Sequence, residues 1–433
     1  PVSLAKLRLP GAEVKEALLP LPMLYASLGL TDNLTAEAFY LFDWDFSEAD
    51  DAGTYYSTDE AFAGYGSNRI LIDMAGGSFA GAAAGYNGAN GNNPASTVLS
   101  ANRLADKPTD GQGQYGLAFR YSMNATELGF FFMNYHSHKP VAQAFSGPNI
   151  APGNAMSVMA FLDNTTYQIV YPEDIQMYGL SFSTTAGDLS FSGELAYRPK
   201  DVILAELGDN LVAYNSIAAV CYFTGTCNAG SGANYGSVLG QVQQGGKIQD
   251  WAELETYNLD LVSIYNFGPA LGSDGMTGVV EFGASYVPEG EDKRYASMAS
   301  LLNIPLADVP VPIRGLVCTG PKYDASSCIS EGPSNDYLDK LSMGYRMVLT
   351  TTYNDVFAGV TLNPVLRFAH DFKGNSHRTG NFLENRKSAT VGLNAIYNQS
   401  FEVGAAYNTF WGAQSSNLLS DRDNVTLTMK YSF

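Results

Sequence analysis

No run of 18 or more apolar residues occurs in the 433-residue chain, which excludes a membrane-spanning helix. Charge is scarce: Asp, Glu, Lys and Arg together make up 15%, little for the surface of a soluble protein. Cations are scarcest, and 24 Lys and Arg against 43 Asp and Glu leave a formal net charge of −19. That balance argues against a nucleic-acid partner, because phosphate binding needs clustered Lys and Arg. The four cysteines have neither close Cys-x-x-Cys spacing nor nearby His, so they do not suggest a zinc site. Pro1-Val2-Ser3-Leu4-Ala5 lacks the basic start and apolar run of a secretion signal. The expectation is that such a signal has been removed or that the chain continues upstream.

Aromatic residues, in contrast, are plentiful at 12%, with 27 Tyr and 23 Phe. The mean hydropathy of −0.08 looks water-soluble. A transmembrane barrel also looks so, because its lipid-facing residues alternate with polar ones. The last residues, "NVTLTMKYSF", put Val425, Leu427, Met429, Tyr431 and Phe433 on one side of a strand and Asn424, Thr426, Thr428, Lys430 and Ser432 on the other. A chain that finishes on such a strand, with an aromatic at its end, fits a barrel closing its sheet at the membrane interface.

The same alternation predicts six hairpins. Met23–Leu30 and Leu34–Phe46 flank Thr31-Asp32-Asn33, and Tyr115–Ser122 and Leu128–Tyr135 flank Met123–Glu127. Tyr178–Thr184 and Leu189–Tyr197 flank Thr185–Asp188, and Tyr257–Phe267 and Thr277–Val287 flank a Gly- and Asp-rich turn. Tyr345–Tyr353 and Phe357–Asp371 flank Asn354-Asp355-Val356, and Ala389–Tyr397 and Phe401–Trp411 flank Asn398-Gln399-Ser400. With the closing strand this makes thirteen. The connections between hairpins, about 47–114, 136–177, 198–256, 288–344, 372–388 and 412–424, are mostly long and rich in Gly, Ser, Asn and Asp. Short turns alternating with long connections are the asymmetry of outer-membrane barrels, with the turns periplasmic and the loops outside. The expected fold is therefore all-β: one antiparallel transmembrane β-barrel of the outer membrane over residues 1–433, with short helices in its extracellular loops. Thirteen is odd, and a bacterial barrel normally has an even count, so at least one N-terminal strand is expected upstream.

The faces sort cleanly. Rows such as Tyr115, Leu117, Phe119 and Tyr121, or Leu189, Phe191, Gly193, Leu195 and Tyr197, would meet lipid. Glu37, Arg120, Glu194, Asp260, Arg346, Arg367 and Glu402 fall on the opposite faces and would line the lumen. A charge facing lipid near the midplane costs roughly 2–4 kcal/mol, so this segregation carries information.

Three stretches, "LRLPGAEVKEALLPLPMLYASLGLTDNLTAEAFYLFDWDF" (7–46), "GTYYSTDEAF" (53–62) and "GFFFMNYHSHKP" (129–140), resemble the Gram-negative outer-membrane family catalogued as domain of unknown function 1302. The resemblance runs through the whole chain and implies a barrel with lipid and lipopolysaccharide around it. It also implies a role in moving lipid-like or other hydrophobic molecules, together with a periplasmic protein of the lipoprotein-carrier type and an inner-membrane exporter. It implies neither catalytic residues nor a cofactor.

The long loops contain apolar stretches that an open porin does not need: "VILAELGDNLVAYNSIAAV" (202–220), "MASLLNIPLADVPVPIRGLV" (298–317) and "AMSVMAFL" (155–162). They read as short amphipathic helices or apolar turns. They either pack on one another as a lid with its own core or form an apolar funnel, with Leu204, Leu211, Met298, Leu301 and Leu302 as its candidate lining. Cys221, Cys227, Cys318 and Cys328 lie in oxidising extracellular loops; three pairings are possible, and proximity favours Cys221–Cys227 and Cys318–Cys328. His136, His138, His370 and His377 gather near strand ends, and with Asp371 and Ser376 they raise the alternative of a hydrolase or a metal site. The acidic run "DWDFSEADD" (43–51) is a solvated loop or a cation site. Three functions result: passage for hydrophobic molecules, a diffusion porin for small polar solutes, and an outer-membrane hydrolase.

Overall fold

A strand that alternates apolar and polar residues is stable only where its two faces meet different media. In the computed structural model, which describes residues 1–7, 14–51, 53–57, 68–73, 98–147, 151–205, 246–293, 295–299, 337–378 and 380–432, such strands make up most of the fold. Numbered in chain order, the described strands form two sheets. The larger holds β1 (Met23–Gly29), β2 (Leu34–Leu41), β5 (Tyr115–Met123), β6 (Thr126–Tyr135), β9 (Ile175–Ala186), β10 (Leu189–Leu204) and β12 (Trp251–Gly268). It continues through β13 (Gly275–Tyr286), β14 (Leu341–Phe357), β15 (Val360–Lys373), β16 (Lys387–Tyr397), β17 (Phe401–Trp411) and β18 (Asn424–Tyr431). These are the thirteen expected strands, each paired antiparallel with the next in sequence order.

Two boundaries differ from expectation. β2 ends at Leu41, where the chain turns away from the sheet, so residues 42–46 are not strand. The β14–β15 turn lies at Ala358-Gly359 rather than at 354–356, because those two residues take the left-handed backbone the reversal needs, at φ 48° and 81°.

In a meander of this kind every second connection lies at the same end, which gathers all the long ones at one rim and the short turns at the other. Three of the long connections contribute the second sheet: β3 (Arg69–Asp73) and β4 (Val98–Arg103) from the first, β7 (Val141–Phe145) and β8 (Thr166–Val170) from the second, and β11 (Lys247–Gln249) from the third. Their order is β11-β7-β8-β4-β3, with β4 and β8 parallel. The helix Ala155–Asp163 packs against it, capped by Asn154, whose side chain accepts from the Met156 and Ser157 N–H groups at 3.0 and 3.3 Å. Val158, Met159, Phe161 and Leu162 of this helix are buried. The described loop residues thus form a lid with its own core, and of the two forms expected for "AMSVMAFL", helix or apolar turn, it takes the helix. Residues 206–220 and 300–317 of the other two stretches lie outside the described residues.

The large sheet is turned inside out. Leu427 and Met429 on β18 are 75% exposed, and the outward rows of β5 and β16 are exposed as well. Near the long-loop rim the outward face carries a continuous aromatic belt: Tyr115, Phe132, Tyr178, Tyr197, Tyr257 and Tyr286 touch in succession at 4.8–6.2 Å between ring centres. It resumes as Phe282, Phe372, Tyr345, Phe368 and Trp411. At the same rim the connection after β2 reaches the one before β18: Arg422 sits 5.1 Å over the Tyr55 ring and donates to its carbonyl, and Asn424 donates to the Tyr56 hydroxyl at 2.9 Å.

Candidate functional site

The inner wall carries the chemistry. Because side chains alternate along each strand, the exposed apolar rows fix the other face as interior. Glu37, Arg120, Glu194, Asp260, Arg346, Arg367 and Glu402 all lie on that face, none beside an outward apolar residue in register. Arg120 is 3.3 Å from the carboxylates of both Glu37 and Glu127, and its guanidinium stands 5.3 Å over the Phe131 ring. Glu194 and Asp260 are direct cross-strand partners on β10 and β12. On the next two strands Glu281 faces Arg346, 3.7 Å away. Arg367 on β15 reaches no carboxylate among the described residues. Near the short-turn rim Glu402 is the register partner of Lys430. Acids on β10–β13 therefore adjoin bases on β14 and β15.

One loop folds inward over this wall. Asp371, on the interior face of β15 and 3% exposed, accepts from the Leu383 N–H at 3.1 Å and from Arg386 Nε at 2.8 Å. Ser376 Oγ accepts from the Phe382 N–H at 2.9 Å, and Asn375 Oδ1 accepts from the Glu384 N–H at 2.9 Å. These bonds press the Phe382 ring onto Gly283 and Gly344, register partners on β13 and β14. A Cβ on either glycine would lie 2.9 Å from the ring, so only glycine leaves room for it. Ser376 and His377 drew attention to this loop in the sequence, but Phe382 did not; its signal was two inward glycines side by side on adjacent strands.

Among the described residues the four histidines are not brought together at one site. His370 points outward and packs edge-on against Tyr345 at 5.6 Å, while Asp371, one residue on, points inward. His136 donates from Nε2 to the Gln112 carbonyl at 2.6 Å and accepts at Nδ1 from the Asp174 N–H at 3.0 Å, so both ring nitrogens hold backbone. His138 donates to the Asp45 carbonyl at 2.7 Å and stacks on Trp44. His377 is pushed down to about 4 and kept neutral chiefly by burial; Asp201 opposes the shift, and Lys139 and Arg198 add to it. In the acidic run, Asp43 and Asp45 accept from the backbone N–H of Trp44 and Phe46, both at 2.8 Å. Among the described residues no group of three His, Cys, Asp or Glu side chains is placed to hold a metal.

The proposed funnel also changes character. Leu204 is 7% exposed in a core with Val141, Val170 and Ala296, so it has no surface to offer a ligand. Met298 is half-buried, its N–H donating to the Ser376 carbonyl at 2.9 Å. Leu211, Leu301, Leu302 and Cys221, Cys227, Cys318 and Cys328 lie outside the described residues.

A meander with a polar, charged interior and an apolar exterior belted by aromatics is the architecture of a transmembrane β-barrel of the outer membrane. The chain belongs to the family described as "Protein of unknown function (DUF1302)", whose model matches residues 1–433. None of the curated proteins matches it. Solved structures similar to it include a porin refined at 1.8 Å resolution, at 10% identity over 95% of this chain and 91% of that one, with a TM-score of 0.30. A mutant Rh. blastica porin is 8% identical over 95% of this chain and 89% of its own, with a TM-score of 0.26. The outer-membrane channel DcaP of Acinetobacter baumannii is 10% identical over 79% and 89%, with a TM-score of 0.25.

Proposed function

We propose that the protein is an outer-membrane channel for small, ionisable solutes, selected by the charges of its inner wall. The observation that carries this reading is the interior itself: carboxylates on β10–β13 adjoin guanidinium groups on β14 and β15, with Arg367 meeting no carboxylate among the described residues. Rings and patches of fixed charge are how pores discriminate ions, because water and solute must pass within a Debye length of them. The loop stretches that suggested an apolar funnel give less support to hydrophobe passage, since Leu204 and Val202 are occupied in packing the lid.

Passage for hydrophobic molecules is the second reading. It is favoured by Phe131 and Phe382, whose rings face the interior. A periplasmic carrier and an inner-membrane exporter would belong to that reading. Planar-bilayer recordings separate the two. Under the channel reading wild-type protein conducts KCl, and Arg367→Gln shifts its reversal potential toward cations. Wild-type protein that does not conduct, yet supports uptake of a hydrophobic dye that Phe131→Asn abolishes, would reverse the choice.

A further inference from the structure

Between the inner wall of β14–β17 and the loops above it lies a cavity of about 130 Å³. Arg346 and Arg386 bring guanidinium groups to its lining, and its apolar part is made by Phe410, Leu419 and Ala369, the register partner of Arg346. Asp371, Lys387 and Ser388 complete it, and Asp371 and Ser388 face the interior by strand alternation.

The two guanidinium groups have donors to spare. Arg386 is oriented by Asp371 through Nε and Nη2, both at 2.8 Å, and Nη2 also donates to the Asn381 carbonyl. Its Nη1 meets no acceptor among the described residues. Arg346 makes no hydrogen bond to a described residue, and its one ion contact, to Glu281, is 3.7 Å long, beyond hydrogen-bond reach. Asp371 is occupied by Arg386 and the Leu383 N–H, so it holds the site's shape more than it fills it. In a chain of net charge −19, two under-satisfied guanidinium groups facing one cavity are a local reversal of sign.

From this geometry we infer a binding seat for a small organic carboxylate with an apolar body. Guanidinium forks match the two oxygens of a carboxylate and form charge-assisted hydrogen bonds with it. The apolar part sets the rest of the molecule. An enclosed apolar cavity of about 150 Å³ accepts benzene; this one is slightly smaller, at about 130 Å³, but half open, so a ring or short chain of benzoate's size fits with part of it outside. Arg367, two residues from Ala369 on the same face of β15, is the next cation deeper along the wall. The inference rests on the channel reading for the route by which a carboxylate arrives, but binding itself needs no conduction.

Equilibrium dialysis of radiolabelled benzoate against the purified full chain in detergent tests it, with folding of each variant checked by heat-modifiability on gels. Saturable binding of one benzoate per chain is expected. Arg346→Gln should weaken it at least about tenfold, the loss of a charged hydrogen bond, and Arg346→Lys less. Ala369→Phe leaves every charge in place and fills the cavity, and it should abolish binding. Hexanoate should compete, and benzylamine should not. Absence of saturable binding, or Arg346→Gln binding like wild type, would overturn the proposal. So would competition by inorganic phosphate as strong as that by hexanoate, because the seat would then read charge alone. Bilayer conductance, measured separately, decides the channel reading whichever way the dialysis falls.

Discussion

The two sheets of this protein bury opposite things. In the lid, Ile169 on β8 is 1% exposed and Phe161 on the helix is 0%, the ordinary arrangement in water. In the large sheet the outward apolar rows, such as Val425, Leu427 and Met429, are exposed, and the interior holds Glu, Asp and Arg. The same backbone geometry serves both, so the difference lies in the medium. Hydrophobic residues go where water is absent, which in the lid is its centre and in the barrel is the lipid outside.

That contrast can be tested at four strengths. The largest effect should come from Phe161→Ala, which leaves a cavity in the lid at about 3–5 kcal/mol. Trypsin should then cut the lid quickly while the sheet remains resistant and heat-modifiable; equal loss in both would show that they do not fold independently. Next comes Leu427→Arg on the lipid face, at about 2–4 kcal/mol if it lies near the midplane. Urea titration in vesicles should show it, and a variant as stable as wild type would mean that β18 does not face lipid.

Third is pH. His377 titrates near 4 in the folded protein, below the ordinary value of about 6.5, so between these values the unfolded chain binds the extra proton. The stability that neutral His377 confers is complete above about pH 6.5 and is lost as pH falls toward 4, on the order of 1–2 kcal/mol by pH 5. Hydrogen exchange should show loops 295–299 and 374–378 losing protection at pH 5 while β12 keeps its own. His377→Asn should flatten that dependence. The smallest is Asn154→Ala, which removes a helix cap worth about 1 kcal/mol and should lower the lid's unfolding midpoint without touching the barrel.

Lipid is the reason the large sheet was legible in sequence. It forces every spanning strand to alternate over many residues, so even one strand such as "NVTLTMKYSF" announces both faces. The lid offers no such signal. Its strands are three to six residues long, come from three separate connections, and pair β4 with β8 across β5, β6, β7 and the helix. Within the site, alternation puts Arg120, Glu194, Arg346 and Arg367 on the face opposite the exposed apolar rows, but it cannot say what each touches. Arg386 and Phe382 arrive from a loop whose course depends on Asp371 and Ser376. The same alternation separates His370 from Asp371, which are neighbours in sequence and opposite in space.

The aromatic belt also sets a length. On β12, Tyr257 belongs to the upper belt, and ten residues further on Phe267 packs edge-on against Tyr265 at 4.8 Å, near the short turns. Ten residues at about 3.3 Å each, tilted by about 40°, place these two rings of side chains about 25 Å apart. The protein is therefore a gauge for bilayer thickness. A thicker membrane must thin around it, at a fraction of a kcal/mol per Å of mismatch, and the thin outer membrane costs it least. The tyrosines that anchor the wall thus also help to decide in which membrane it comes to rest.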